Sequence, residues 1–239
     1  MLVAGFPAGP WGTNCFVVAP GAGEECVVID PGKDAVDGID EIVREHRLRP
    51  VAVLLTHGHI DHVWSVVPVC DARGIPAYIH PDDRYRLGDP VGTLMDDTRA
   101  MLDQLTGGRF EFSEPDDVRA VADGEVLDLA GLGLRIAHAP GHTEGSVTFG
   151  TDATDELPPV LFSGDLLFAG SIGRTDLPGG DTEQMMASLA RVVLPMADDT
   201  VVLPGHGPQT TIGQERRANP YLRQVAAGTP HADRPRTGL

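Results

Sequence analysis

LLTHGHIDH (Leu54–His62) closes an apolar run with three histidines and an aspartate inside six positions. The run in front, Val51–Leu55, has the length and composition of a strand buried on both faces. His57 and His59 stand two apart, so in an extended chain they point the same way and can share one metal ion. Asp61 and His62 follow after a turn and can point to another. Imidazole and carboxylate together suit zinc, iron or manganese. A lone histidine in a turn is ordinarily solvated or capping, and His46, His80, His138 and His231 are read that way. Four ligand types in six positions are not.

Three more turns repeat the theme. His142 lies in APGHTEGS, Asp165 in LFSGDLLF and His206 in VLPGHGP. Each follows a strand-like segment and has glycine beside it, which lets the backbone turn sharply and the side chains crowd. Seven candidate ligands result: His57, His59, Asp61, His62, His142, Asp165 and His206.

The rest of the chain alternates strand and helix signals. Strands are expected over Asn14–Pro20, Glu25–Asp30, Ile75–His80, Arg119–Val121, Glu125–Leu129, Leu134–His138, Ser146–Phe149, Val160–Phe162 and Thr200–Leu203. Helices are expected over Asp37–Leu48, Val63–Arg73 and Thr182–Val193, and over Gln214–Ala227 with a break at Pro220. Weaker helix signals fall near Asp82–Leu87 and Gly92–Leu105. No linker divides the chain, so one domain of two sheets with outer helices is the simplest packing. It is expected to span 1–227, followed by a flexible tail, 228–239.

The 239 residues carry a formal net charge of −17, which argues against nucleic acid and against anionic membrane surfaces as partners. The three cysteines, Cys15, Cys26 and Cys70, form no CxxC pair and read as small buried residues, as in a reducing cytoplasm. The N-terminus shows neither a basic region nor a long apolar stretch, so a secretory signal is not expected.

THGHIDH, followed in order by His142, Asp165 and His206, resembles the metallo-β-lactamase superfamily. The resemblance runs from Asn14 to about Leu222 and implies an α+β fold, an αββα sandwich, with a two-metal site on one edge. It further implies that His57, His59 and His142 hold one ion, that Asp61, His62 and His206 hold the other, and that Asp165 bridges them. Zinc is the first expectation, with iron or manganese as alternatives.

Two further stretches, LFAGSIGRTDLPGGD (Leu167–Asp181) and ERRANPYL (Glu215–Leu222), look like the small glyoxalase II-like hydrolases, similar to hydroxyacylglutathione hydrolase. The implied activity is thioester hydrolysis of S-lactoyl or other acyl thiols by a metal-bridging hydroxide, with Asp61 orienting that hydroxide. About 33 residues follow His206, too few for the helical glutathione-binding domain of those enzymes, so the thiol is left open. Arg174 is read either as a contact for the substrate carboxylate or support for a metal ligand, or as an arginine pinning its own loop. Trp64 is read as a packing residue at the floor of the site. The competing readings are a persulfide dioxygenase using one non-haem iron, held by His57 or His59 with His142 and Asp165, and a metal-stabilised module without catalysis. The expected partner is a small thioester; oligomeric state is not legible.

Overall fold

Alternation along the apolar strands decides the layering. In β2 (Thr13–Ala19), Phe16 and Val18 face one way while Cys15, Val17 and Ala19 face the other. β3 (Glu25–Ile29) repeats this with Val27 and Ile29 against Cys26 and Val28. β4 (Arg49–Leu54) does so with Ala52 and Leu54 against Val53. Both faces are buried, so these strands read as continuous hydrophobic runs, and something must cover each face.

The computed structural model supplies both covers, and it describes residues 1–92, 99–100, 102, 104, 107, 112–154 and 157–228. β1 (Leu2–Ala8), β2, β3, β4, β5 (Ala77–Ile79) and β6 (Val118–Ala120) form one sheet in that order. The second sheet runs β12 (Thr210–Thr211), β11 (Val201–Pro204), β10 (Val160–Gly164), β9 (Val147–Thr151), β8 (Leu132–His138) and β7 (Val126–Leu129). Between the sheets lie Phe16, Ile29 and Leu54 from one side and Leu134, Phe149 and Phe162 from the other. The rings of Phe16 and Phe162 meet edge to face at 5.4 Å.

The outer face of the first sheet is covered by α1 (Ala35–His46), through Ile39, and by α3 (Val66–Asp71), through Val69 and Cys70. The outer face of the second is covered by α5 (Thr182–Ser188) with its wider continuation Leu189–Val193, and by α6 (Ile212–Ala218) and α7 (Pro220–Ala226). The result is the expected αββα sandwich, a single α+β domain. No helix among the described residues is long and apolar enough to cross a membrane.

Several expectations shift. The helix expected over Val63–Arg73 begins earlier and is divided, into α2 (Ile60–Val63) and α3. The signal near Asp82–Leu87 becomes a 3₁₀ turn, Pro81–Asp83, followed by α4 (Tyr85–Gly88). The break expected at Pro220 is real: Pro220 opens α7, and Asn219 caps it by accepting from the Tyr221 and Leu222 amides. β1 was not expected at all. It holds Gly5 and Pro7, which weaken a strand signal, but among the described residues it is an edge strand paired with β2, where a proline is tolerated. Most of the Gly92–Leu105 helix and the tail beyond Gly228 lie outside the described residues.

Candidate metal centre

Every predicted ligand sits where a strand ends on the same edge of the sandwich. β4 runs into Thr56–His59, and Asp61 and His62 ride on the first turn of α2. His142 comes from the β8–β9 loop, Asp165 follows β10 and His206 follows β11. β3, β4, β10 and β11 end side by side because β3–β4 and β10–β11 pair in parallel.

The structure gathers all seven. Three overlapping groups have ligand atoms within 4.8 Å of one another: His57 with His59 and His142, Asp61 with His62 and His206, and His57 with His62 and Asp165. His59 Nδ1 and His142 Nε2 stand 2.8 Å apart. Asp165 lies between the first two groups. Its Oδ1 is 3.4 Å from His62 Nε2, and its Oδ2 is 3.3 Å from His142 Nε2 and 3.7 Å from His206 Nε2. Asp61 Oδ2 is 3.1 Å from His206 Nε2 and 3.4 Å from His62 Nε2, and accepts from Thr13 Oγ1 at 2.8 Å. Gly205 makes room: a Cβ there would lie 2.2 Å from Asp165 Oδ1.

Hydrogen bonds behind the cluster fix which nitrogen each ring presents. His142 Nδ1 donates to the Arg174 carbonyl at 2.7 Å, leaving Nε2 as the lone-pair atom. His62 Nδ1 faces the Asp30 carboxylate at 3.0 Å. His57 Nδ1 faces Thr56 Oγ1 at 3.1 Å, and that hydroxyl donates to Asp30 at 2.6 Å. Among the described residues, six buried side-chain atoms have no hydrogen-bond partner, two of them on Arg86 and one on His59, and the other three, His57 Nε2, His62 Nε2 and Asp165 Oδ1, belong to residues of one ligand group. Buried polar atoms are costly unless satisfied, and three converging ones of ligand type fit a cation.

Charge balance points the same way. Burial, reinforced by neighbouring histidines, pushes the His57 and His59 rings well below their ordinary value, so both are neutral lone-pair donors. Burial also opposes a charge on His62, but Asp61, Asp165 and Asp30 outweigh it and lift that ring to about 10. Asp61 is held far below the carboxylate range, because His62 and His206 overcome its burial. The carboxylates thus demand positive charge beside them. A cation entering next to His62 must displace a proton, so its apparent affinity should fall as pH falls, by up to about tenfold per unit. Zinc affinity that stays flat between about pH 6 and pH 8 would contradict this.

Arg174 supports a candidate ligand, His142, but through its backbone. Its side chain pairs with Asp176, at 2.8 and 2.9 Å, rather than reaching into the cluster. Trp64 packs with Trp11 and Phe112. Sequence reading missed Asp30, although it stands at a strand end before Pro-Gly, as the recognised ligands stand before or beside glycine. It also missed Thr13, Asp83 and Arg86, for which the sequence offers no local signal. His80 and His138, read as ordinary, stack on each other at 4.1 Å near Asp82, apart from the seven.

Comparison with known proteins agrees with this geometry. The model of the metallo-beta-lactamase superfamily matches residues 8–206. An uncharacterized protein of Mycobacterium tuberculosis is 47% identical over 228 residues, 95% of this chain and 100% of that one. A probable metallo-hydrolase of Bacillus subtilis is 34% identical, over 90% of this chain and 95% of its own. A hydroxyacylglutathione hydrolase of Haemophilus influenzae is 33% identical, over 83% and 88%. Among solved structures, the BLEG-1 B3 metallo-beta-lactamase superposes with a TM-score of 0.78 at 38% identity, covering 92% of this chain and 99% of that one. TTHA1623 in a di-iron-bound form gives 0.73 at 35% identity, covering 93% and 100%.

Proposed function

The chain belongs to the metallo-beta-lactamase superfamily, and from that premise we propose that it is a two-metal hydrolase of thioesters, acting on S-lactoyl-type acyl thiols. The observation that carries the reading is Asp165, whose two oxygens face histidines of two different ligand groups. One ion would be held by His57, His59 and His142, the second by Asp61, His62 and His206, with Asp165 shared. Zinc, iron and manganese all suit this donor set, and the di-iron form of TTHA1623 keeps iron in view. When bound, such a pair supplies a water activated near neutral pH and a Lewis acid for the carbonyl oxygen.

The chain's own residues do the rest. Asp61, held in place by Thr13 Oγ1, is set to accept a hydrogen bond from the attacking water and so aim it. Asp30, Thr56 and the Arg174 carbonyl hold the rings in the orientation described above, which spares reorganisation during the reaction. Collapse of the tetrahedral intermediate expels a thiolate. A thiol with pKa of roughly 8.5 leaves without a strong general acid, and the site shows no dedicated one among the described residues. This favours thioesters over esters of poor leaving groups. The buried free cysteines fit a reducing, cytoplasmic setting.

The relative from Haemophilus influenzae carries hydroxyacylglutathione hydrolase in its name, which supports the acyl-thiol class. Selectivity for glutathione is another matter. Of the four arginines that could grip an anionic tripeptide, Arg174 is paired with Asp176 and Arg216 binds Asp198 and the Leu194 and Met196 carbonyls, while Arg217 and Arg223 are exposed. Matched lactoyl thioesters of several thiols, with a β-lactam added because of the BLEG-1 likeness, test the reading on the metal-loaded protein. The expected result is turnover of several thioesters with weak preference for glutathione. A strong, exclusive preference for the glutathione ester would reject the selectivity argument. β-Lactam turnover, or oxygen consumption with a persulfide, in the absence of thioester turnover would reject the hydrolase assignment.

A further inference from the structure

We infer that Asp83 is a positioning residue that sets the spacing of His57, His59 and His142, and so governs cation affinity at that group without governing the Asp61–His62–His206 group. The inference rests on the two-ion reading above.

Asp83 ends the 3₁₀ turn after β5 and is completely buried. Its Oδ2 accepts from the Gly58 amide and from Thr143 Oγ1, both at 2.7 Å. Its Oδ1 accepts from the Gly145 amide at 2.9 Å and meets Arg86 Nε at 3.3 Å. Gly58 stands between His57 and His59, and Thr143 follows His142. One carboxylate therefore ties together the two turns that carry the whole group. Those turns come from different sheets, and His59 and His142 are 83 positions apart in sequence. A direct backbone tie, from the Val147 amide to the Thr56 carbonyl at 2.8 Å, lies outside the ring-bearing residues.

Arg86, also completely buried, extends the clamp. Its Nη2 donates to Glu144 Oε2 at 2.7 Å and to the Pro178 carbonyl at 3.1 Å. It thus reaches the loop whose Arg174 carbonyl fixes the His142 ring. The fit is tight, because a Cβ on Gly58 would lie 2.7 Å from Arg86 Cβ. The other group has supports that do not pass through Asp83: Asp30 behind His62, which also braces Thr56, and Thr13 behind Asp61. Hence the expected selectivity.

In Asp83→Asn the side chain keeps one acceptor oxygen and gains an NH₂. That NH₂ must face donors from Gly58, Thr143, Gly145 or Arg86, and the two turns move apart. Partners standing behind metal ligands typically change affinity by about 10–100-fold. The test uses zinc affinity of the full chain by chelator competition, in two backgrounds. His206→Ala leaves the His57–His59–His142 group to bind; His142→Ala leaves the other. Asp83→Asn is expected to weaken zinc by about 10–100-fold in the first background and to leave the second unchanged. Thr143→Val, which removes the hydroxyl's hydrogen bonds to Asp83 and Ser146 and keeps the buried Asp83–Arg86 ion pair, should act in the same sense but less, and guards against a variant that does not fold. Equal losses in both backgrounds, or none in either for both variants, would overturn the inference while the two-ion reading stood. Wild-type protein that binds fewer than two zinc ions would overturn both.

Discussion

Asp165→Ala should abolish thioester hydrolysis, by at least about 10³-fold, and weaken the binding of both ions. The reason is electrostatic. In the proposed centre this carboxylate faces both ligand groups, with Oδ1 toward His62 and Oδ2 toward His142 and His206. Without it, two divalent cations would repel each other across a buried gap with less negative charge between them. The activated water depends on both, so the loss in rate should exceed the loss in affinity. The fold should survive, since Asp165 contributes to the site edge and not to the layer between the sheets. Metal analysis and turnover of the variant decide it: two ions retained with near-normal rate would show that Asp165 does not bridge.

Removing the metal should cost stability as well as activity. A ligand that binds only the folded state stabilises it by about 4 kcal/mol when present at a thousand times its Kd. For a chain of this size each kcal/mol moves Tm by about 2–4 °C, so each ion lost should lower Tm by roughly 8–16 °C. The structural motive is the set of buried ring nitrogens and the Asp165 oxygen that lack hydrogen-bond partners among the described residues. Chelation followed by thermal unfolding, then addition of zinc, makes the measurement. Equal melting temperatures with and without chelator would mean that the cluster is satisfied without a cation.

Much of the architecture was legible because its signals are local. A strand buried on both faces must be apolar throughout its buried span, and Cys26–Ile29 within Glu25–Asp30 and Val51–Leu55 announce themselves that way. Helix α7 begins where Pro220 requires a start, and Asn219 caps it. Edge strand β1 was hidden because an edge strand needs neither a continuous apolar run nor freedom from proline and glycine. The Val63–Arg73 helix divides at Trp64 and Ser65, four and three residues before Pro68, which has no N–H to donate to the Trp64 carbonyl.

What the sequence by itself determined is the set of candidate donors. THGHIDH places four ligand types within six residues, and the Gly-flanked turns at His142, Asp165 and His206 bear ligand chemistry wherever the chain goes. Only the tertiary structure decided which donors meet, since bringing His59 within 2.8 Å of His142 requires two sheets to pack face to face. It also decided that Arg174 serves through its carbonyl, while its guanidinium pairs with Asp176. And it alone revealed Asp30, Asp83 and Arg86 behind the site. Asp83 braces turns from two sheets through backbone amides and a hydroxyl that only the fold brings to it, so those partners cannot be read from its neighbours in sequence.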